Sequence, residues 1–366
     1  MFNRRRFLTN AIVAAGAATN GVLSAGAEGT VLPERVIITG FRGATTSDPE
    51  VDRTLRYLET GEIAGVILLS RNIVSPDQVL KLSLAFREAA APTIPIISID
   101  QEGGAVARLD AANGFSDWMS AAEMAFFAMT DADAFDYFLT RAREMMSVGI
   151  NLNLGPVLDL NVNPLNPIIG ALDRSFGKDP ATVVRLASAF VHAHHAAGVM
   201  TCGKHFPGHG SSTTDSHQEQ TDINATWTEQ ELVPFREMAS LGNLDSVMTS
   251  HVIHRRFSDG EDRPVSLSRK GTALACAEIG FDGPILTDDL QMRAITDHYG
   301  QSEAAVAALK AGNTFLIYAN HREANTIDTA AEVNSGLRAA LSTGELDDLT
   351  LSARQRTASL FFDRVS

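Results

Sequence analysis

The sequence predicts an α/β fold, a single (β/α)8 TIM-type barrel, and two observations support this prediction. Short continuous runs rich in Val, Ile and Leu alternate with longer amphipathic stretches along almost the whole chain of 366 residues. Continuous apolar runs are typical of parallel strands that are buried on both faces. The strand–helix units follow one another without a linker rich in Gly, Pro or Ser, which favours one barrel over a doubly wound sheet.

Strands are placed by these apolar runs, and helices by the spacing of apolar residues between them. The predicted strands are 35–40, 65–70, 95–100, 151–154 with an extension to 160, 199–205, 246–251, 284–288 and 314–319. The predicted helices are 49–60, 76–90, 132–147, 180–197, 229–241, 268–279, 302–311 and 324–342. Five aromatic residues are expected to pack a helix on the barrel: Phe126, Phe127, Phe135, Tyr137 and Phe138.

Charge and composition narrow the function classes. The chain has 30 Lys and Arg against 44 Asp and Glu, a formal net charge of −14, whereas nucleic-acid binding requires a basic surface. No G-x-G-x-x-G motif follows the first predicted strand and no P-loop occurs, so no nucleotide cofactor is indicated. Cys202 and Cys276 form no C-x-x-C motif. We expect buried thiols rather than a disulfide, although an oxidising compartment outside the cytoplasm is compatible with both.

The first 27 residues are predicted to be an export signal. Three arginines at 4–6 precede Phe7 and Leu8, an Ala-rich apolar stretch follows, and Ala25-Gly26-Ala27 offers a small-residue cleavage site. The paired arginines resemble a twin-arginine signal. The apolar run is too short to span a bilayer comfortably, which favours export over a membrane anchor. We therefore predict a signal over 1–27, a barrel domain over 28–366, and a periplasmic or extracellular location.

Polar residues end six of the eight predicted strands. They are Asp100, Asp159, Lys204-His205, His251, Asp288-Asp289 and Asn320. Because the active sites of this fold lie at the carboxyl ends of the strands, these side chains are expected to meet in one site.

The loop after the fifth strand carries a candidate acid/base pair. Glycines and a proline in 204–210 predict a shaped loop rather than a helix. Asp215 and His217 lie two residues apart, so a turned loop lets the carboxylate orient the imidazole. A histidine oriented by a carboxylate is a common general acid and base near neutral pH.

This loop also carries a family resemblance. Lys204-His-Phe-Pro-Gly-His-Gly210, followed by Asp215-Ser-His217, resembles the signature of bacterial β-N-acetylglucosaminidases of glycoside hydrolase family 3. Other segments agree with the family in the same order, so that the resemblance spans residues 35 to 320. These segments are 99–104 with Arg108 and Leu109, 149–161, 174–177, 248–251 and 287–292.

The resemblance implies a role for each matching residue. Asp288 falls on the nucleophile, His217 on the general acid/base and Asp215 on its partner. Met292 falls near the −1 sugar. Positions that contact sugar hydroxyls and the acetamido group fall on Asp100, Arg108, Arg174, Lys204 and His205. In this reading Lys204 and Arg174 keep Asp288 ionised, and Asp289 is the rival nucleophile.

The implied activity is retaining and metal-independent exo-hydrolysis of β-N-acetylglucosaminides, without a cofactor. Terminal N-acetylglucosamine of cell-wall muropeptides or chitooligosaccharides is the expected substrate. The sequence departs from the family pattern at Ala105, where the family usually has Arg, and in Ala311-Gly312-Asn313-Thr314, where Thr314 stands at the position of the family's Asp. Two extra residues also lie between Gly170 and Arg174. These departures bear on the outer sugar subsites and on the position of Arg174.

Four alternatives remain beside this interpretation. Two belong to the same family, a phosphorylase and a β-glucosidase, and a third is a sugar-binding protein without catalysis. The fourth is a zinc hydrolase, for which ligands are available. The candidate ligands are His205, His209, Asp215, His217 and His251.

Overall fold

A computed structural model of the chain describes residues 35–260, 262–321 and 328–365. The predicted export signal over 1–27 lies outside the described residues, as do the first residues of the predicted helix 324–342. Within the described ranges, no helix is both long enough and apolar enough to cross a bilayer.

In the part of the chain that the structure describes, nine of the eleven strands form one sheet, in which every pair is parallel. The strands are β1 (Ile37–Thr39), β2 (Gly65–Leu68), β3 (Ile96–Ile99), β4 (Leu152–Asn153), β5 (Met200–Thr201), β6 (Gly203–Phe206), β7 (Thr221–Asp222), β8 (Val247–Thr249), β9 (Val252–Ile253), β10 (Ile285–Asp289) and β11 (Phe315–Tyr318). The order in the sheet is β5-β4-β3-β2-β1-β11-β10-β8-β6, and β7 pairs separately with β9.

The two edge strands of this sheet belong to one segment of chain, 200–206. β5 pairs with β4 through Met200 and Leu152, and β6 pairs with β8 through Gly203 and Val247. Between them, the N–H of Cys202 donates to the carbonyl oxygens of both Asn153 and Gly155. Counted as one strand, 200–206 closes the sheet into an eight-stranded barrel. The predicted (β/α)8 fold is confirmed.

Several helices begin where the sequence supplies a capping side chain or a proline. Proline occupies the first turn of α1, α2 and α5, where no N–H is needed. The Ser75 hydroxyl accepts from the Gln78 N–H at the start of α2, and Asp179 caps α5 in the same way through Thr182. The helices are α1 (Pro49–Glu59), α2 (Pro76–Ala90), α3 (Ala121–Phe126), α4 (Asp131–Ser147), α5 (Pro180–Ala197), α6 (Val233–Ser240), α7 (Arg269–Ile279), α8 (Arg293–Thr296), α9 (Gln301–Ala311), α10 (Thr329–Thr343) and α11 (Asp348–Val365).

Two predicted elements are shorter than expected. The fourth strand ends at Asn153 rather than at 160, because Pro156 has no N–H for the ladder; beyond it, Val157 makes only an isolated bridge to Lys204. The predicted helix 229–241 is a 3₁₀ turn, Glu229–Leu232, followed by α6.

The expected packing of the aromatic residues is only partly correct. Phe138 is buried against Trp118 and Phe190. Phe126 and Phe127 instead lie at the end of α3 and are exposed, because this short helix ends before it can bury them.

The barrel interior is filled by apolar side chains from successive strands, among them Ile38, Ile67, Leu152 and Ile317. Cys202 lies in the same cluster as a free thiol, and burial raises its pKa to about 12. The last helix contributes to this core, since the Phe361 ring packs 5.7 Å from that of Phe315, the first residue of β11.

Candidate active site

A cavity of about 280 Å³ opens at the carboxyl ends of the barrel strands. The nine residues that the resemblance places in catalysis or sugar binding all line it: Asp100, Arg108, Arg174, Lys204, His205, Asp215, His217, Asp288 and Met292. They converge because the carboxyl ends of parallel strands share one face of a barrel, although the residues span almost 200 positions of the chain. Glu102, His209, Asp289 and His321 also line the cavity. Three of the polar strand ends that were expected in the same site, Asp159, His251 and Asn320, lie outside this lining.

One wall of the cavity is a buried ion-pair network centred on Glu102. Its carboxylate accepts two hydrogen bonds from Arg174, at 2.7 and 2.8 Å, and lies 2.6 Å from Lys204 Nζ. Lys204 Nζ also lies 2.7 Å from Asp100. Burial opposes ionisation of Glu102, but Arg174 and Lys204 together hold its pKa well below the ordinary value. The extra residues before Arg174 therefore do not displace it from the cavity.

Asp159, which ends the predicted fourth strand, anchors residues 204–210, which we call the histidine loop. Its buried carboxylate accepts hydrogen bonds from His205 Nδ1 at 2.6 Å and from the His209 N–H at 2.8 Å. Burial opposes its ionisation, but the bond and charge of His205 outweigh this and lower the pKa of Asp159. Glu102 is not among the predicted site residues, and Asp159 is predicted only as a polar strand end. Both lie in segments that match the family pattern. An acidic residue expected close to the predicted cationic side chains was the sign in the sequence that each could have a role.

Asp288 lies at the end of β10 with its carboxylate facing the cavity. Burial would raise the pKa of Asp288, but the nearby imidazoles of His205, His251 and His217 hold it well below the ordinary value. The Asp289 N–H also donates to Asp288 Oδ1 at 2.8 Å. Asp288 is therefore an ionised carboxylate, as a nucleophile requires.

The expectation that Lys204 and Arg174 keep Asp288 ionised is wrong. Both cations are held by closer carboxylates, since Glu102 pairs with each of them and Asp100 pairs with Lys204. The imidazoles of His205, His251 and His217 are instead the main groups that lower the pKa of Asp288.

Asp289, the rival nucleophile, is engaged in structural hydrogen bonds. Its Oδ1 accepts from the backbone N–H groups of Gln291 and Ala319, each at 3.1 Å. Burial raises the pKa of Asp289 to about 6, and the neighbouring charge of Asp288 contributes to the rise. These backbone bonds hold the Asp289 carboxylate within the fold, which favours Asp288 over Asp289 as the nucleophile.

Asp215 and His217 form the predicted pair. Asp215 Oδ1 accepts from both His217 Nδ1 and the His217 N–H, at 2.8 Å each, and Gln218 donates to its other oxygen. Burial opposes ionisation, but these donors lower the pKa of Asp215. With Nδ1 carrying the proton that Asp215 accepts, Nε2 of the neutral imidazole has a lone pair for proton exchange. The His217 side chain is 56% exposed.

Arg108 and Met292 complete the predicted set. The side-chain oxygen of Gln101 accepts from the backbone N–H of Arg108 at 2.7 Å, which fixes this half-buried residue at the cavity edge. Met292 is buried at the start of α8, four residues after Asp288. Thr314, a departure from the family pattern, is buried away from this lining, and its Oγ1 accepts from the Ile285 N–H at 3.3 Å.

The ring nitrogens of His205 and His251, two of the candidate zinc ligands, are used within the protein. His251 contacts Ser266 at 2.6 Å and the carbonyl oxygen of Asp289 at 2.9 Å, while His205 contacts Asp159 and Arg174. In the part of the chain that the structure describes, no group of three or more His, Cys, Asp or Glu side chains is arranged to hold a metal ion. This geometry gives the zinc hydrolase alternative no support.

Glu231 is a buried carboxyl group beneath the histidine loop. Its Oε2 accepts from the Ser211 N–H at 3.2 Å, and its side chain packs against Gly208, where a Cβ atom would lie 2.6 Å from that of Glu231. Burial raises the pKa of Glu231 to about 7 despite the bond from Ser211, and the charge of Asp159 adds to the rise.

Glu231 is expected to make the protein less stable as pH rises. The unfolded chain releases this proton near pH 4.5, but the folded protein retains it until about pH 7. The stabilising contribution is therefore complete below the unfolded pKa and is lost as pH rises through the folded one, by about 3 kcal/mol. Urea unfolding at pH 5 and pH 8 should show a smaller loss for Glu231→Gln than for the wild type.

The neighbouring Glu229 supplies the control, since its side chain is 57% exposed. Glu229→Gln should retain the wild-type change in unfolding free energy between pH 5 and pH 8. An unchanged pH dependence in Glu231→Gln would show that Glu231 is already ionised in the folded protein at pH 5.

Comparison with known proteins now identifies the family. The model described as the glycosyl hydrolase family 3 N terminal domain matches residues 45–357. The chain belongs to glycosyl hydrolase family 3. The resemblance inferred from the sequence is confirmed, and this family 3 member is a glycoside hydrolase rather than a sugar-binding protein without catalysis.

Named relatives of this family 3 chain are β-hexosaminidases. The β-hexosaminidase of Tolumonas auensis is 40% identical over 281 residues, covering 75% of this chain and 80% of the relative. β-Hexosaminidase A of Pseudoalteromonas piscicida is 33% identical over 339 residues, covering 84% of this chain and 54% of the relative.

Solved structures agree with the barrel fold. A family 3 β-N-acetylglucosaminidase from Paenibacillus superposes with a TM-score of 0.81 at 32% identity, covering 91% of this chain and 62% of that one. A β-N-acetylhexosaminidase from Beutenbergia cavernae gives 0.79 at 26% identity, covering 90% and 96%. The chain thus spans less than two thirds of the Paenibacillus structure and nearly all of the Beutenbergia one.

Proposed function

We propose that this family 3 glycoside hydrolase is a retaining exo-β-N-acetylglucosaminidase, with Asp288 as nucleophile and His217, oriented by Asp215, as general acid/base. The observation that carries the proposal is the placement of an ionised carboxylate and a carboxylate-oriented imidazole in one cavity. Retaining glycosidases need a nucleophile and a proton donor on opposite sides of the scissile bond. Here the histidine takes the place of the second carboxyl group.

In the first step, a lone pair of Asp288 attacks the anomeric carbon, and the bond to the leaving oxygen breaks. That oxygen receives a proton from Nε2 of protonated His217. In the second step, His217 takes a proton from water, the water oxygen attacks the anomeric carbon, and the bond to Asp288 breaks. The sugar leaves with its original configuration, and Asp288 and His217 return to their starting states.

The substrate class follows from the size and charge of the cavity and from the relatives. A volume of about 280 Å³ lies below the range of roughly 300–1,000 Å³ that is usual for drug-sized ligands, so it suits one terminal sugar ring. Asp100 and Lys204 at its wall suit the hydroxyl groups of a sugar. The named β-hexosaminidases support N-acetylglucosamine as that sugar. Muropeptides or chitooligosaccharides, met after export by the segment 1–27, are the proposed substrates.

We expect the enzyme to release p-nitrophenol from its β-N-acetylglucosaminide and much more slowly from its β-glucoside. Addition of phosphate should leave the rate unchanged, because water is the proposed acceptor. Proton NMR should identify β-N-acetylglucosamine as the first product, as retention requires.

Three other outcomes would each contradict one part of the proposal. A phosphate-dependent rate with a sugar phosphate as product would indicate the phosphorylase. Preference for the glucoside would indicate a β-glucosidase, and α-configured product would exclude a glycosyl-enzyme on Asp288.

A further inference from the structure

His209 is a buried residue of the histidine loop, and its ring bridges two serines. Its Nδ1 lies 2.7 Å from Ser212 Oγ, and its Nε2 lies 3.1 Å from Ser216 Oγ. Burial, with the nearby charge of His205, lowers the pKa of His209 to about 4. The ring is therefore neutral in the working range of pH, with one nitrogen donating and the other accepting.

Ser216 connects this buried ring to the dyad. It stands between Asp215 and His217 in the sequence, yet its own side chain is buried whereas that of His217 is largely exposed. Its carbonyl oxygen also accepts from the Ala294 N–H at 3.3 Å. Since Ala294 follows Asp288 by six residues, Ser216 contacts both the histidine loop and the segment that carries the nucleophile.

His209 is itself held by the barrel. Its N–H donates to Asp159 at 2.8 Å, and its carbonyl oxygen accepts from the Asn166 side chain at 2.7 Å. The bonds of the dyad, in contrast, are local, because Asp215 is bound by His217 and Gln218 of the same loop. Local bonds orient the imidazole towards Asp215, but they do not fix its distance from Asp288.

We infer that His209 is a positioning residue which, through Ser216, sets the place of the Asp215–His217 dyad relative to Asp288. The inference rests on the proposed function, because it assigns His217 the proton transfer. The positioning role is assigned to one ring nitrogen of His209, Nε2. The bond from Nε2 to Ser216 positions the dyad, whereas the bond from Nδ1 to Ser212 holds the root of the loop.

A misplaced general acid has a recognisable kinetic effect. Departure of a poor leaving group depends on protonation, whereas a dinitrophenolate leaves without it. The value of kcat/KM reports the first step, so it separates acid assistance from the later attack of water. A change that moves His217 should thus slow aryl N-acetylglucosaminides in proportion to the basicity of the leaving phenolate.

Two matched pairs of variants test this. Ser216→Ala and Ser212→Ala each remove one hydroxyl from the same imidazole. His209→Asn keeps an amide near the position of Nδ1, and His209→Gln keeps one near that of Nε2. For a methoxyphenyl substrate we expect Ser216→Ala and His209→Asn to lower kcat/KM about tenfold, the effect of one lost hydrogen bond. Ser212→Ala and His209→Gln should lower kcat/KM by no more than about twofold. All four variants should cleave dinitrophenyl substrates at the wild-type rate.

Thermal unfolding of each variant controls for folding. Equal losses in His209→Asn and His209→Gln, or a loss in Ser216→Ala that is the same for every leaving group, would overturn the inference and leave His209 a structural residue. His217→Ala, assayed in the same series, tests the proposed function separately. If its kcat/KM did not depend on the leaving group, the assignment of His217 as the acid would fail, whatever the result at His209.

Discussion

Asp288→Ala is expected to lower kcat/KM for p-nitrophenyl β-N-acetylglucosaminide by about 10⁴-fold or more, the scale of loss when a catalytic nucleophile is deleted. The nearby imidazoles of His205, His251 and His217 hold the pKa of this carboxylate well below its ordinary value, and it faces the cavity, so it is ready to attack the anomeric carbon. Added azide should restore turnover, because it fits the space of the lost carboxylate and attacks from the same face. The product should then be the α-glycosyl azide.

Asp289→Asn is the matched control for this experiment. An asparagine oxygen can still accept from the N–H groups of Gln291 and Ala319, so the loss of activity should stay within about tenfold. If Asp289→Asn were inactive while Asp288→Ala kept most of its activity, the two aspartates would have to exchange roles. A β-configured azide product would also exclude Asp288 as the nucleophile.

Glu102→Gln is expected to lower the free energy of unfolding by about 3–5 kcal/mol. The substitution leaves the buried cations of Arg174 and Lys204 facing a neutral amide, and burial makes an uncompensated charge costly. Asp100 is half-buried and contacts only Lys204 of this pair, so it does not replace the lost charge at Arg174. Urea denaturation at pH 7 measures the effect.

Asp297→Asn provides the surface comparison. Asp297 pairs with Arg293 one helical turn away, and both side chains are at least 40% exposed, so this loss should stay below about 1 kcal/mol. A loss of the same small size in Glu102→Gln would show that water reaches the network and screens it.

The barrel could be predicted because it depends on local patterns, and the residues of its cavity could be predicted because their motifs resemble those of the family. Apolar runs locate the strands, and topology then brings residues as distant as Asp100 and Asp288 to one face. The partners of each charge could not be predicted in this way. Lys204 and Arg174 were assigned to Asp288, yet they pair with Glu102, since a pairing across the barrel depends on side-chain distances that no sequence spacing records.

The smaller differences between the predicted and the observed elements also have physical causes. The division of the fifth strand at Cys202 follows from hydrogen bonds to two different neighbours, and the short fourth strand follows from Pro156. The exposure of Phe126 and Phe127 depends on where α3 ends, which apolar composition alone does not indicate.

The segment 200–206 joins the closure of the barrel to the assembly of its site. Before this segment docks on both neighbours, β4 and β8 present open edges that invite pairing with other chains. Lys204 and His205 belong to the same segment and line the cavity. One segment therefore both closes the sheet and supplies two side chains of the candidate site, so a change that undocks it would open both edges and remove those side chains together.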